Sequence, residues 1–233
     1  MAYGLMKSYS INNLIFKNMG TYMKGILGSF SGKIGTVIGA SWRGIDYMRS
    51  LSKKRTSPFN QNELGVQSRF TLMITFLRPI ADLIRKGYQH VVGQTPMNRA
   101  VSVNLKEAVT GVAPDYSVNY AALKFGSGPL LPAGPELAVT AVAGKKVRFV
   151  WVDSSSGEDT SKATDKFILL LYSVEKKAFV RLYDGGIRSE QECEMIVPSS
   201  FVGNTVHAYI MFETTDGKKV SDSQYGGLVT ILA

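Results

Sequence analysis

The chain has 233 residues, of which 45% are hydrophobic, with a mean hydropathy of +0.02 and a formal charge of +9. That length allows one large or two small domains, and the composition is ordinary for a folded, soluble chain. A single cysteine, Cys193, excludes an internal disulfide and any cysteine-based metal site.

The charge is uneven. Through Gly128 there are 16 Lys and Arg against 5 Asp and Glu, net +11; from Pro129 onward there are 11 against 13, net −2. A basic first half favours an acidic partner, such as nucleic acid, an anionic surface or an acidic protein, and the plainer alternative is a solvated basic face. Residues 1–18 read as an N-terminal extension ahead of Met19-Gly20. They lack the unbroken apolar core of a secretory peptide, and no run approaches the roughly 18 apolar residues of a membrane span. The expected location is therefore cytoplasmic or virion-associated.

Residues 24–49 carry six glycines (Gly25, Gly28, Gly32, Gly35, Gly39, Gly44) among β-formers. Such density means tight turns, close backbone approach or a bound anion. The runs Lys33–Trp42 and Ile45–Arg49 predict a hairpin about Arg43-Gly44, with Trp42 and Tyr47 close across the strands. The spacing Gly28-Ser29-Phe30-Ser31-Gly32-Lys33-Ile34 is one residue short of a phosphate loop and has Ile34 in place of its hydroxyl. No G-x-G-x-x-G is present either, so no nucleotide cofactor is expected.

A polar loop with Lys53, Lys54 and Arg55 follows, and then a helical stripe of Val66, Phe70, Met73, Leu77, Ile80, Ile84 and Tyr88. Asn62 is the expected N-cap and Gly87 the stop, with a kink or a second helix at Pro79. A shorter helix is expected from Asn98 to Thr110, stopping at Gly111, and a strand from Tyr116 to Phe125. The Gly/Pro-rich stretch from Gly126 to Pro135 reads as the domain boundary.

Beyond it, seven β-rich runs alternate with turn chemistry: Leu137–Val142, Lys146–Val152, Lys166–Val174, Ala178–Tyr183, Glu192–Val197, Thr205–Glu213 and Lys219–Leu232. That spacing predicts a β-sandwich of immunoglobulin or fibronectin type, with Trp151 between its sheets. The fold class is thus α+β. A glycine-rich hairpin and kinked amphipathic helix occupy 19–128, and a fibronectin-like sandwich occupies 136–233.

No catalytic constellation emerges. His90 and His207 have no second ligand at metal-binding spacing, and no G-x-S-x-G elbow occurs. Cys193 alternates within a strand as a buried, inert thiol. The expectation is a non-enzyme without cofactor or metal, acting as a structural or protein-interaction module whose basic N-terminal unit docks an acidic partner or self-associates. The candidate partner-binding residues are Lys33, Trp42, Arg43, Arg49, Lys53, Lys54 and Arg55. The alternative is nucleic-acid binding through the same basic and aromatic residues, although no zinc-finger, helix-turn-helix or RNP signature is present.

The run Lys24-Gly25-Ile26-Leu27-Gly28-Ser29-Phe30-Ser31-Gly32-Lys33-Ile34-Gly35, with Val37, Gly39, Trp42, Gly44 and Arg49, resembles the opening of an uncharacterised bacterial domain-of-unknown-function family. Asn60, Arg69, Phe76-Leu77-Arg78-Pro79, Ser127-Gly128 and the tail Lys219–Gly227 are similar to later elements of that family. Gln67 stands out of register with its pattern. The resemblance spans Met19 to Ala233. It implies a two-part architecture and argues against a standard enzyme fold, and it carries no activity, cofactor or partner with it.

Overall fold

The computed structural model describes residues 20–22, 28–42, 44–155 and 160–233. The expectations for the 1–18 extension, for Lys24 and Gly25, and for Arg43 lie outside those residues. Two compact units divide the chain between Pro58 and Phe59.

The first unit holds one antiparallel sheet. Its strands β1 (Thr21–Tyr22), β2 (Phe30–Ile34), β3 (Val37–Trp42) and β4 (Ile45–Ser50) lie side by side in chain order. The run Lys33–Trp42, expected as one strand, is itself a hairpin in which Ile34 pairs with Val37. Gly35 makes that turn at φ 58°, where a residue with a Cβ is strained. Gly39 answers a different need. A Cβ there would fall 2.1 Å from the Phe30 carbonyl oxygen and 2.7 Å from its ring. These glycines serve a turn and a close approach.

The second unit begins with α1 (Gln61–Leu77). Asn60 accepts the Glu63 N–H at 2.8 Å, and the Glu63 carboxylate accepts the Asn60 N–H at 2.9 Å. This capping box places the helix start two residues ahead of the expected Asn62. Pro79 sits in a 3-10 turn, Arg78–Ile80, followed by α2 (Ala81–Gly87), so the helical run breaks at the proline and stops at the glycine. α3 (Pro96–Glu107) starts at Thr95, whose hydroxyl accepts the Asn98 N–H. It ends short of Thr110 because β5 (Val109–Val112) already pairs with β6 (Asp115–Val118). The strand expected as far as Phe125 stops at Val118 and turns into a 3-10 segment, Tyr120–Ala122.

Of the expected stripe, Met73, Leu77, Ile80, Ile84 and Tyr88 are buried, but Val66 and Phe70 are exposed. The first turns of α1 pack along another line. Gly65 is buried close to Ala113 and Tyr116, and Arg69 donates to the Leu105 carbonyl at 2.7 Å with its guanidinium over the Tyr116 ring.

All seven later runs contain strands: β7 (Ala138–Val142), β8 (Lys146–Val150), β9 (Lys166–Ser173), β10 (Ala178–Leu182), β11 (Glu192–Ile196), β12 (Thr205–Glu213) and β13 (Gln224–Thr230). They form a four-stranded sheet in the order β10-β9-β12-β13 and a three-stranded sheet in the order β11-β8-β7, with every pairing antiparallel. The fold is therefore mixed α+β with antiparallel sheets.

β9 and β12 explain why the division falls at Pro58 and not at 128–136. Phe167, Leu169 and Leu171, with Val206, Ala208, Ile210 and Phe212, share a core with Val147, Phe149 and Met195 of the three-stranded sheet. The alternate residues Ile168, Leu170, Tyr209 and Met211 share a second core with Met73, Leu77, Ile80 and Ile84 of the helices. The period-two alternation of a strand thus buries both faces of one sheet, each fully buried Leu or Phe contributing about 1.5–3 kcal/mol. The helices belong with the sheet they cover. The stretch 126–135 is packed as well: Leu130 and Ala133 are buried, and the Leu130 N–H donates to the Val220 carbonyl. Ion pairs Lys86–Glu213 and Asp82–Arg181 join α2 to β12 and β10 of the four-stranded sheet.

Candidate interaction surface

The register of the four-stranded sheet decides which side chains share a face, because directly paired residues point the same way. Lys33 pairs with Ile38, Ile38 with Arg49, Ala40 with Tyr47, and Trp42 with Ile45. One face therefore presents Lys33, Ile38, Trp42, Ile45, Tyr47 and Arg49. The other carries Phe30, Ile34, Val37, Asp46 and Met48. Trp42 and Tyr47 are diagonal neighbours, 45% and 44% exposed, while Ile45 and Met48 reach 65% and 71%. Every residue of β4 is exposed.

Charge follows the same division. Through Pro58 there are nine Lys and Arg against the single Asp46, net +8; after it there are eighteen against seventeen, net +1. The basic excess that the sequence spreads over the first half belongs to the first unit, and the helices contribute little of it.

Among the expected partner-binding residues, Lys33, Trp42 and Arg49 come together on one face. Lys53, Lys54 and Arg55 continue in the exposed segment after β4. Arg55 shapes that segment by donating Nε to the Ser57 carbonyl at 2.8 Å and Nη2 to the Pro58 carbonyl at 3.1 Å. Ile45, Tyr47 and Met48 were absent from the expected set. The alternation Ile45-x-Tyr47 and the two-residue turn would have assigned the first two to this face.

Cys193 and His207 of the second unit are partly buried. Burial, and then the Glu190, Glu194 and Glu192 carboxylates, push the Cys193 thiol above its ordinary range. His207 lies 2.9 Å from the Tyr225 hydroxyl through Nδ1 and stacks on Tyr120 at 4.4 Å, and burial lowers its pKa. His90 is exposed in the turn after α2. No group of three or more His, Cys, Asp or Glu side chains is arranged to hold a metal among the described residues. The second unit has a groove of about 550 Å³ over Phe76, Tyr120, Tyr172 and Phe179, with Lys177 the one charged side chain lining it among the described residues. Burial pushes the Tyr172 phenol up to about 12.

These features sit in a chain that belongs to a family of unknown function, DUF6266, whose model matches residues 29–227. The matched stretch takes in the exposed sheet from Ser29 onward and nearly all of the second unit. Among solved structures, the chain is similar to a DUF3823 family protein from Bacteroides ovatus ATCC 8483, at 19% identity and a TM-score of 0.27. That likeness covers 41% of this chain and 52% of the other, so the chain spans about half the length of that protein. No curated protein matches. Among the described residues, no helix is long and apolar enough to cross a membrane.

Proposed function

We propose that this chain is a non-catalytic interaction protein whose basic first unit docks an acidic protein partner. The observation behind this reading is the coincidence of net charge and exposed apolar surface. A unit of net +8 exposes Ile45, Tyr47 and Met48 on a single strand, with Trp42 beside them. Charge without apolar surface would be a solvated face, whereas the two together suit a partner that supplies carboxylates and side chains to pack. Self-association is the weaker form of the proposal, because two units of like charge repel.

The second unit is the scaffold in this reading, and its residues 136–233, β7 to β13, are a sandwich of fibronectin type. Its first, second and fifth strands form one sheet, and its third, fourth, sixth and seventh form the other. We expect no cofactor and a cytoplasmic or virion-associated setting. Nucleic acid is the second reading, favoured by Trp42 and Tyr47 lying on the same face as Lys33 and Arg49, since bases stack on aromatic rings beside cations.

Charge reversal tests the proposal. Lys53→Glu, Lys54→Glu and Arg55→Glu combined should weaken binding of a labelled acidic peptide about 3- to 150-fold at low salt, at roughly 0.2–1 kcal/mol per exposed pair. Wild-type affinity should fall as salt rises. Binding that ignores both the reversal and salt would contradict the reading.

A further inference from the structure

The helix-facing side of the four-stranded sheet carries a row of rings. Tyr172 on β9 pairs with Phe179 on β10 and with His207 on β12, so the three side chains share that face. Phe76 of α1 and Tyr120 pack on the row. Phe76 stands edge-on to Tyr172 at 4.9 Å and to Phe179 at 5.3 Å, and Tyr120 stacks on His207. Tyr172 is buried, whereas Phe76, Tyr120 and Phe179 are half-buried and line the groove of about 550 Å³. Ligand pockets run from about 300 to 1,000 Å³ and are walled by apolar and aromatic side chains with few polar groups.

Apart from the tyrosine hydroxyls, the polar groups here are of two kinds. α1 contributes the Thr71 and Thr75 hydroxyls, about one helical turn apart, and the β9–β10 turn contributes the exposed Lys177. Among the described residues no carboxylate lines the groove. Glu175, two positions before Lys177, accepts the Ser173 hydroxyl at 2.8 Å. The groove is therefore aromatic with one positive charge.

We infer that it binds a small aromatic carboxylate, the ring among Phe76, Tyr120 and Phe179 and the carboxylate on the Lys177 ammonium group. The site lies in the second unit and does not rest on the acidic-partner reading. Ring packing selects the body of the ligand, because the edge-to-face contacts of Phe76 extend to a further ring. Charge selects its head. One cation matches one carboxylate, whereas the phosphates of a nucleotide call for several cations. A sugar calls for amides and carboxylates around its hydroxyls, and the groove has neither among the described residues.

The test is an amide chemical-shift titration of the full isotope-labelled chain with indolepropionate. Saturable shifts should centre on Tyr120, Lys177 and Phe179, with a Kd of about 1 mM or tighter for a ligand of this size. The neutral amide of the same compound should bind about fivefold more weakly, the upper worth of an exposed ion pair. Lys177→Gly should weaken indolepropionate by the same factor. Lys177 holds φ 50°, a conformation that glycine adopts freely, so the turn tolerates this change and lost binding is not lost folding. Phe179→Leu, which keeps an apolar side chain without the ring, should weaken binding as well. Absence of saturable shifts up to about 10 mM overturns the inference. So does equal binding of the acid and its amide, or of wild type and Lys177→Gly. Decanoate bound more tightly than indolepropionate overturns it in favour of an alkyl chain.

Discussion

Arg188→Ala is expected to destabilise the second unit by about 3–5 kcal/mol in chemical denaturation, the cost of stranding one member of a buried ion pair. Arg188 opens the 3-10 segment Arg188–Glu190 and is fully buried. Its guanidinium lies 3.7 Å from the centre of the Phe212 ring, and Nη2 donates to the Leu131 carbonyl at 2.7 Å. Nε stands 3.8 Å from the Asp165 carboxylate, which is itself buried and accepts the Lys162 N–H. Burial lowers the pKa of Arg188, while Asp165 and Asp153 oppose that shift. Removing the cation leaves the Asp165 charge in the interior without compensation. A loss of this size should lower Tm by about 6–20 °C for a domain of this size. The paired change Arg188→Met with Asp165→Asn should recover most of it, because buried pairs are replaceable by neutral groups of similar volume. If the pair is as unstable as Arg188→Ala, packing against Phe212 outweighs the charge.

Trp151→Ala is expected to cost about 3–5 kcal/mol, the range for deleting a large aromatic from a core. Trp151 follows β8 and is buried between the sheets, edge-on to Phe167 at 5.0 Å and to Phe212 at 5.9 Å. Its Nε1 donates to the Arg188 carbonyl at 2.9 Å. Trp151→Phe should keep most of the packing and lose about 1–3 kcal/mol from the unpaired carbonyl. Because Trp151 and Arg188 both contact Phe212, the double alanine variant should lose less than the sum of the single variants. Strict additivity would show that the two act as separate packing sites.

The strands were the legible part of this fold. Asp184-Gly185-Gly186 and Asp216-Gly217 punctuate runs of β-formers, and each run proved to contain a strand. The domain division was not legible from composition. Residues 126–135 look like a linker because Gly and Pro dominate them, yet Leu130 and Ala133 are packed. The signal for the true arrangement lay in Phe167-Ile168-Leu169-Leu170-Leu171-Tyr172, an unbroken apolar run that implies a strand covered on both faces. The helix start was also available, in the spacing of Asn60 and Glu63. At the candidate surface, residue types pointed to Lys33, Trp42 and Arg49. Only the register shows that they share a face with Tyr47 and Ile45, since the turn at Gly35 hides inside a run of β-formers.

Amide hydrogen exchange on the full chain, with and without saturating acidic peptide at low salt, tests the docking surface most directly. Exchange should slow across residues 44–55 and stay unchanged through 59–233. Slowing confined to 59–233, around the groove of Phe76 and Tyr172, would contradict it.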